Sequence, residues 1–180
     1  MWLKQVGLAV ILHITSISAS ITITENTRER ISFNFDIGDY TISNNRSQAN
    51  MHSIINFPSS NNKIYDNGVF IPTLTLYAGL PPEGKAKVSF ISQEVKRITL
   101  DHPLQKILSD QKPDQFMKHS FKNPWITDIE YIRFKNLRTG RFYLKPFIYD
   151  EKNQILTVLI KGSCTIEFPG SKRYPSTSQL

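Results

Sequence analysis

A single cysteine, Cys164, stands in a chain of 180 residues, so no disulfide can form within it. Several other chemistries are missing as well. There is no glycine pattern that would cradle a nucleotide phosphate and no serine at a strand-to-helix elbow. The four histidines, His13, His52, His102 and His119, lie far apart in the chain and show no metal-ligand spacing with one another or with Cys164. These absences exclude the common nucleotide, zinc and serine-hydrolase chemistries, and the sequence gives no reason to expect a cofactor or a metal. Cys164 sits in SCTIEF, in phase with Val158, Ile160, Ile166 and Phe168. That phase predicts a small buried thiol on the core face of a strand, whereas a nucleophile belongs at a turn or helix start beside a base. No catalytic residue is assigned.

What is present is the composition of a folded domain. Apolar residues make up 39% and charged residues 21%, enough for a real core in a chain of this length. The net charge of +7 is spread diffusely along the chain. The first residues differ from the rest: Trp2 and Lys4 precede the apolar run VGLAVILHITSIS, and small residues Ser18, Ala19 and Ser20 follow. A basic start, an apolar middle and a small-residue end predict a secretory leader over 1–20. The run is too short for a comfortable membrane span of about 20 apolar residues, so stable membrane insertion is not expected. The competing reading is a first strand, because SISASITIT also alternates.

The rest of the chain predicts strands. ISFNFDIG alternates Ile31, Phe33, Phe35 and Ile37 with polar residues. Residues 43–53, polar and rich in asparagine, read as a loop. Asp66-Asn67-Gly68 is a turn, since Asn and Gly tolerate positive φ. Pro72 cannot donate to a ladder, which sends its strand to an edge or to a strand entry. KAKVSFISQEVKRITL keeps one phase through Val88 and Phe90, then switches at Ile91 and Val95, which predicts a β-bulge. Leu104, Ile107 and Leu108 have helical spacing before Pro113, followed by an exposed basic loop through Pro124. FYLKPFIYDEKNQILTVLI (142–160) reads as a hairpin, with Leu156, Val158 and Ile160 facing one way and Thr157 and Lys161 the other. The expected fold is all-β: an antiparallel, jelly-roll-like β-sandwich with one long loop and at most one short helix. The expected division is a leader over 1–20, the sandwich domain over 21–170 and a linker or frayed tail over 171–180.

Arg141, Tyr143, Lys145, Phe147 and Tyr149 alternate along the strand read over 141–149, with Arg133 and Lys135 on the strand before it. Basic and aromatic side chains on one sheet face suit single-stranded nucleic acid, a solvated face, or docking of another domain. An exported protein rarely needs the first, so no nucleic-acid partner is expected, and Arg141, Tyr143, Lys145 and Tyr149 form the candidate docking face.

Two stretches resemble the propeptide domain of the gingipain-type cysteine peptidases, family C25. NGVFIPTLTLYAGLPPEGKAKVSFIS is similar to that family's glycine, proline-containing strand, second proline and long valine-rich strand. YIRFKNLRTGRFYLKPFIYDEKNQILTVLIKGSCTIEF is similar to its closing section, with Pro146, Tyr149, Leu156 and Val158 in matching places. The resemblance covers most of residues 30–168. It implies an extracytoplasmic β-sandwich that helps an adjoining or partner cysteine peptidase domain to fold and blocks its cleft until removed. In the basic-specific members a basic side chain of the long loop enters the specificity pocket. Here LQKILSDQKPDQF resembles that loop, with Asp110 at the position matching the inhibitory arginine and Lys106 and Lys112 flanking it as candidate inhibitory residues. The spacing from Gly68 to Pro72 is one residue tighter than the family's. The chain ends where the peptidase domain of a precursor would begin, so both a truncated precursor and a free-standing inhibitor remain expectations. A reading from another class, a secreted adhesion or glycan-binding sandwich with Tyr143 and Tyr149 lining a groove, stands beside these.

Overall fold

The computed structural model describes residues 19–47, 50–66, 68–106, 123–134 and 137–170. The strands within them are β1 (Ser20–Asn26), β2 (Arg30–Asp36), β3 (Thr41–Ser47), β4 (Asn50–Asn56), β5 (Asn62–Asp66) and β6 (Val69–Gly79). They continue with β7 (Lys87–Thr99), β8 (Glu130–Phe134), β9 (Leu137–Leu144), β10 (Phe147–Asp150) and β11 (Ile155–Glu167). The fold is all-β, every strand pair is antiparallel, and no helix occurs among the described residues. The expected sandwich is therefore the architecture observed. All of the expected leader except Ala19 and Ser20, and the whole of the expected tail over 171–180, lie outside the described residues.

β11 organises one layer. Its whole length pairs with β7, while β10 takes residues Ile155–Leu156–Thr157–Val158 and β2 takes Lys161 through Glu167. A strand has only two edges, so β10 and β2 share the edge that β7 leaves, and β1 extends the layer beyond β2. The second layer runs β5-β6-β9-β8, and β3-β4 form a separate two-stranded ribbon. The alternation in ISFNFDIG places Phe33 and Phe35 between the layers, where the Phe33 ring stacks on Phe142 of β9 at 6.3 Å between centroids. Tyr40 and Phe57 close edge-on over Phe147. Burying a side chain of this size contributes about 1.5–3 kcal/mol, so this aromatic seam is a main element of layer adhesion.

Several sequence expectations meet the structure differently. Residues 43–47 and 50–53 are not a loop: they belong to the β3-β4 ribbon, with Asn44 opposite Ser53 and Asn45 opposite His52. The strand read over 141–149 is broken at Lys145-Pro146, because proline cannot continue the ladder, and the chain there leaves one layer for the other. In β7 the irregularity is present, but the phase switch is not. One extra residue on each strand, Gln93 and Ile160, leaves the net phase unchanged. Phe90 and Ile98 thus keep to the inner side, while Ile91 and Val95 stay exposed. Ile160 is the bulged residue of β11 and is only half-buried; Leu156, Val158, Cys164 and Ile166 are fully buried. Leu104 and Lys106, expected near a helix start, instead form isolated bridges to Ser53 and Val69, and residues 107–122 lie outside the described residues. Gly68 has φ 88°, as the Asp66–Gly68 turn requires. Pro72 falls in the first part of β6, which pairs with β5, before the strand reaches β9.

Candidate functional site: the anchors of the long loop

The segment that leaves β7 is tied down before it departs. Leu100 N–H donates to the Gln154 carbonyl at 2.9 Å, in the turn between β10 and β11. The chain then lies parallel beside β4: Ser53 N–H donates to Pro103 O (2.9 Å) and Gln105 N–H donates to Ser53 O (3.1 Å). Ser53, itself buried, uses its hydroxyl on His102 O (2.9 Å) and on Asn44 Oδ1 (3.0 Å). Leu104 is buried, and its N–H donates to the Tyr149 hydroxyl oxygen at 3.3 Å. Lys106 then bridges antiparallel to Val69 at the start of β6. Its ammonium pairs with Glu151, whose hydrogen bond raises the lysine above its ordinary value.

The return is fixed as well. Asn123 Nδ2 donates to Phe90 O on β7 at 3.2 Å, and Trp125 N–H donates to Asn123 Oδ1 at 2.9 Å. Trp125 and Ile126 are buried. Lys145 N–H donates to Trp125 O (2.8 Å), Thr127 N–H to Tyr143 O (3.0 Å) and Tyr143 N–H to Thr127 Oγ1 (2.9 Å). The described residues on both sides of 107–122 are thus hydrogen-bonded into the sandwich.

The expected inhibitory and docking residues fall in different places. Lys106 is the last described residue before 107–122, with its amine on Glu151, and Lys112 lies outside the described residues. The docking face read from Arg141, Tyr143, Lys145 and Tyr149 is not one exposed surface, because the break at Pro146 sends them to two layers. Tyr143, Lys145 and Tyr149 are buried. The Lys145 ammonium reaches Asp66 at 2.9 Å, and Tyr149 supports Leu104. What shares the outer face of the second layer is a row across three strands: Tyr77, Arg141 and Glu130. Arg141 grips Glu130 through Nε and Nη2 at 2.8–3.0 Å, and its guanidinium lies 5.9 Å from the Tyr143 ring. That hydrogen bond raises the arginine further, and burial raises the Tyr143 phenol. Arg133 is exposed on β8, and Lys135 lies outside the described residues. With Tyr143 and Tyr149 buried in separate layers, no groove forms between them for a glycan.

Sequence reasoning missed Ser53 and Glu151 as loop anchors. Ser53 was hidden in a stretch read as loop, and Glu151 in a turn of polar residues. Tyr149 had a signal, its matching place in the propeptide-like closing section, but the role of that hydroxyl emerges only once Leu104 is beside it. Cys164 is fully buried, and desolvation pushes its thiol up to about 12.

No protein-family model matches the chain, and no curated protein matches it in sequence. Solved structures do match it. One belongs to a complex of the pro- and mature domains of RgpB from Porphyromonas gingivalis, with a TM-score of 0.66 at 12% identity, covering 89% of this chain and 90% of that one. The chain has the fold of a gingipain-type propeptide. A second structure, from work on the zymogenic latency of gingipain K from the same organism, matches at a TM-score of 0.61 and 13% identity, over 89% of this chain and 97% of that one. The propeptide fold accounts for the closing section of the sequence, where Pro146 marks the change of layer and Leu156 and Val158 fill the core. Among the described residues of this propeptide fold, no helix is long and apolar enough to cross a membrane.

Proposed function

We propose that this chain acts as a non-catalytic propeptide domain that assists the folding of a gingipain-type cysteine peptidase, in cis or in trans, and blocks its cleft. The observation that carries the reading is the match along nearly the whole of both chains to a structure of RgpB pro- and mature domains in complex. The anchored loop supports it further. A blocking segment has to be presented from a rigid base, since a free one would lose more conformational entropy on entering a cleft. In this reading the loop between Lys106 and Asn123 enters the cleft as an extended strand. Of the two candidate plugs, Lys106 acts as an anchor, its amine already engaged by Glu151, and Lys112 occupies the pocket of a basic-specific target. The domain is exported, with the leader over 1–20 removed. Cys164 takes no part in chemistry, because a buried protonated thiol is no nucleophile.

The test is inhibition of a gingipain-type peptidase by the purified chain and two variants. Removing one member of a desolvated charge pair costs about 2–5 kcal/mol, so Lys112→Ala weakens inhibition by a factor of tens or more. Lys106→Ala has a smaller effect, through a loosened loop base. If the wild-type chain does not inhibit, or if both variants inhibit equally well with their fold intact, the loop-plug mechanism is wrong. N-terminal sequencing of the exported protein locates the leader cleavage.

A further inference from the structure

The inner face of the β11 layer extends one strand further than the layer that covers it. Along one row of that face, Phe90, Cys164, Phe33 and Ile23 stand opposite one another on β7, β11, β2 and β1. The first three are buried, and Ile23 is 61% exposed. Its neighbour Ile21, opposite the buried Phe35, is 41% exposed. Between β1 and β6 this overhang leaves an apolar groove of about 310 Å³, lined by Ile21, Ile23, Phe33, Leu76, Phe142 and Ile166. The β6 side is open too. Asn61 closes its edge at Thr75, accepting from Thr75 N–H (2.6 Å) and donating to Thr75 O (3.3 Å). Past that clamp β6 pairs only with β9 among the described residues, and Tyr77 is 62% exposed.

We propose that this seam is a self-association surface, on which β1 of a second copy pairs antiparallel with β1 about a two-fold axis. The occupant is identified by what the edge asks for: a short extended segment with apolar side chains on alternate positions and no charge to desolvate. Ile21–Thr24, ITIT, which remains once residues 1–20 are removed, has that composition, and it lacks the lysine, proline or inward charge with which edge strands usually repel one another. The bulge after Ile23 limits the pairing to this stretch. With Thr22 opposite the second copy's Thr22, Ile21 stands opposite the second copy's Ile23 on the inner face, and Glu25 lies beyond the ladder. Four isoleucines then form one apolar band beside Leu76 and Tyr77, and the two layers join into one continuous sheet. The pairing is isologous, so each copy's β1 edge is used once and assembly stops at the dimer.

The experiment is sedimentation equilibrium of the purified chain over a range of concentrations, beside Thr22→Lys, with circular dichroism on both. Thr22 is exposed, so the lysine leaves the monomer intact, but in the dimer it places two ammonium groups across one cross-strand pair. The wild-type chain is expected to show a monomer–dimer equilibrium, and Thr22→Lys to weaken it by about tenfold or more with an unchanged melting curve. Thr22→Cys, mildly oxidised, is expected to give one disulfide-linked dimer species. A wild-type chain that remains monomeric at every concentration overturns the proposal. A dimer that Thr22→Lys does not weaken also overturns it. Should that variant misfold, the absence of a Thr22→Cys disulfide dimer decides against the proposal in the same way.

Discussion

Thr73 is fully buried in β6, and its hydroxyl has no hydrogen-bond partner among the described residues. Burying such a group without a partner costs about 1–3 kcal/mol, and valine has nearly the same shape. Thr73→Val is therefore expected to stabilise the protein by about 1 kcal/mol, read as a rise in the urea midpoint at constant slope. Cys164 gives a prediction in pH. Its thiol ionises near 9.0 when exposed and only at about 12 in the fold. Above pH 9 the unfolded chain loses a proton that the folded chain keeps, so stability falls as pH rises and is unaffected below that point. Against Cys164→Ala, the wild-type chain is expected to lose about 1 kcal/mol more on going from neutral pH to about pH 10, measured by urea unfolding at each pH. The burial of Cys164 was legible from its phase with Val158 and Ile166, because a two-residue period is a local property. The burial of Lys145 was not: its partner Asp66 is 79 positions away in sequence, and only the fold brings them together.

Gly162 shows how tightly β7 and β11 are fitted. A Cβ there would lie 2.4 Å from the Phe90 ring, which covers the bare backbone. Gly162→Ala is expected to destabilise the domain by about 1–3 kcal/mol, since the ring or the strand has to move. Thermal melting checks this, and Gly79→Ala, with nothing within 4 Å of its Cβ position, is the control. Strands with one dry face were readable: β2 and β11 alternate because their two faces meet different surroundings. The β3-β4 ribbon was not readable. Most of its positions are exposed on both sides, so Ser43, Asn44, Asn45 and Arg46 carry no alternation to betray a strand. The exposed Ile91 and Val95 misled in the opposite direction. They suggested a change of phase in β7, whereas the paired insertions at Gln93 and Ile160 cancel and leave both on the solvent side.

For the whole molecule, the sandwich was legible because alternation and turn residues recur along the chain, and the segment that departs from it was visible as a gap in that pattern. Where that segment is anchored was not legible, since Ser53, Val69, Phe90 and Tyr149 come from four separate strands. The inhibition measurements on Lys106→Ala and Lys112→Ala and the sedimentation of Thr22→Lys test the proposed blocking role and the proposed self-association. The order β1-β2-β11 also has a mechanical consequence. β1 and β11 both run antiparallel to β2, with Ser20 opposite Asp36 at one end and Glu167 opposite Arg30 at the other. The first and last of these strands therefore enter and leave at opposite ends of the ladder, roughly 20 Å apart along β2. Tension between Ser20 and Glu167 draws β1 and β11 past β2 in shear, loading their backbone hydrogen bonds together instead of peeling them one by one. Pulled between these two ends in a force measurement, the domain is expected to hold to a high force and then give way all at once.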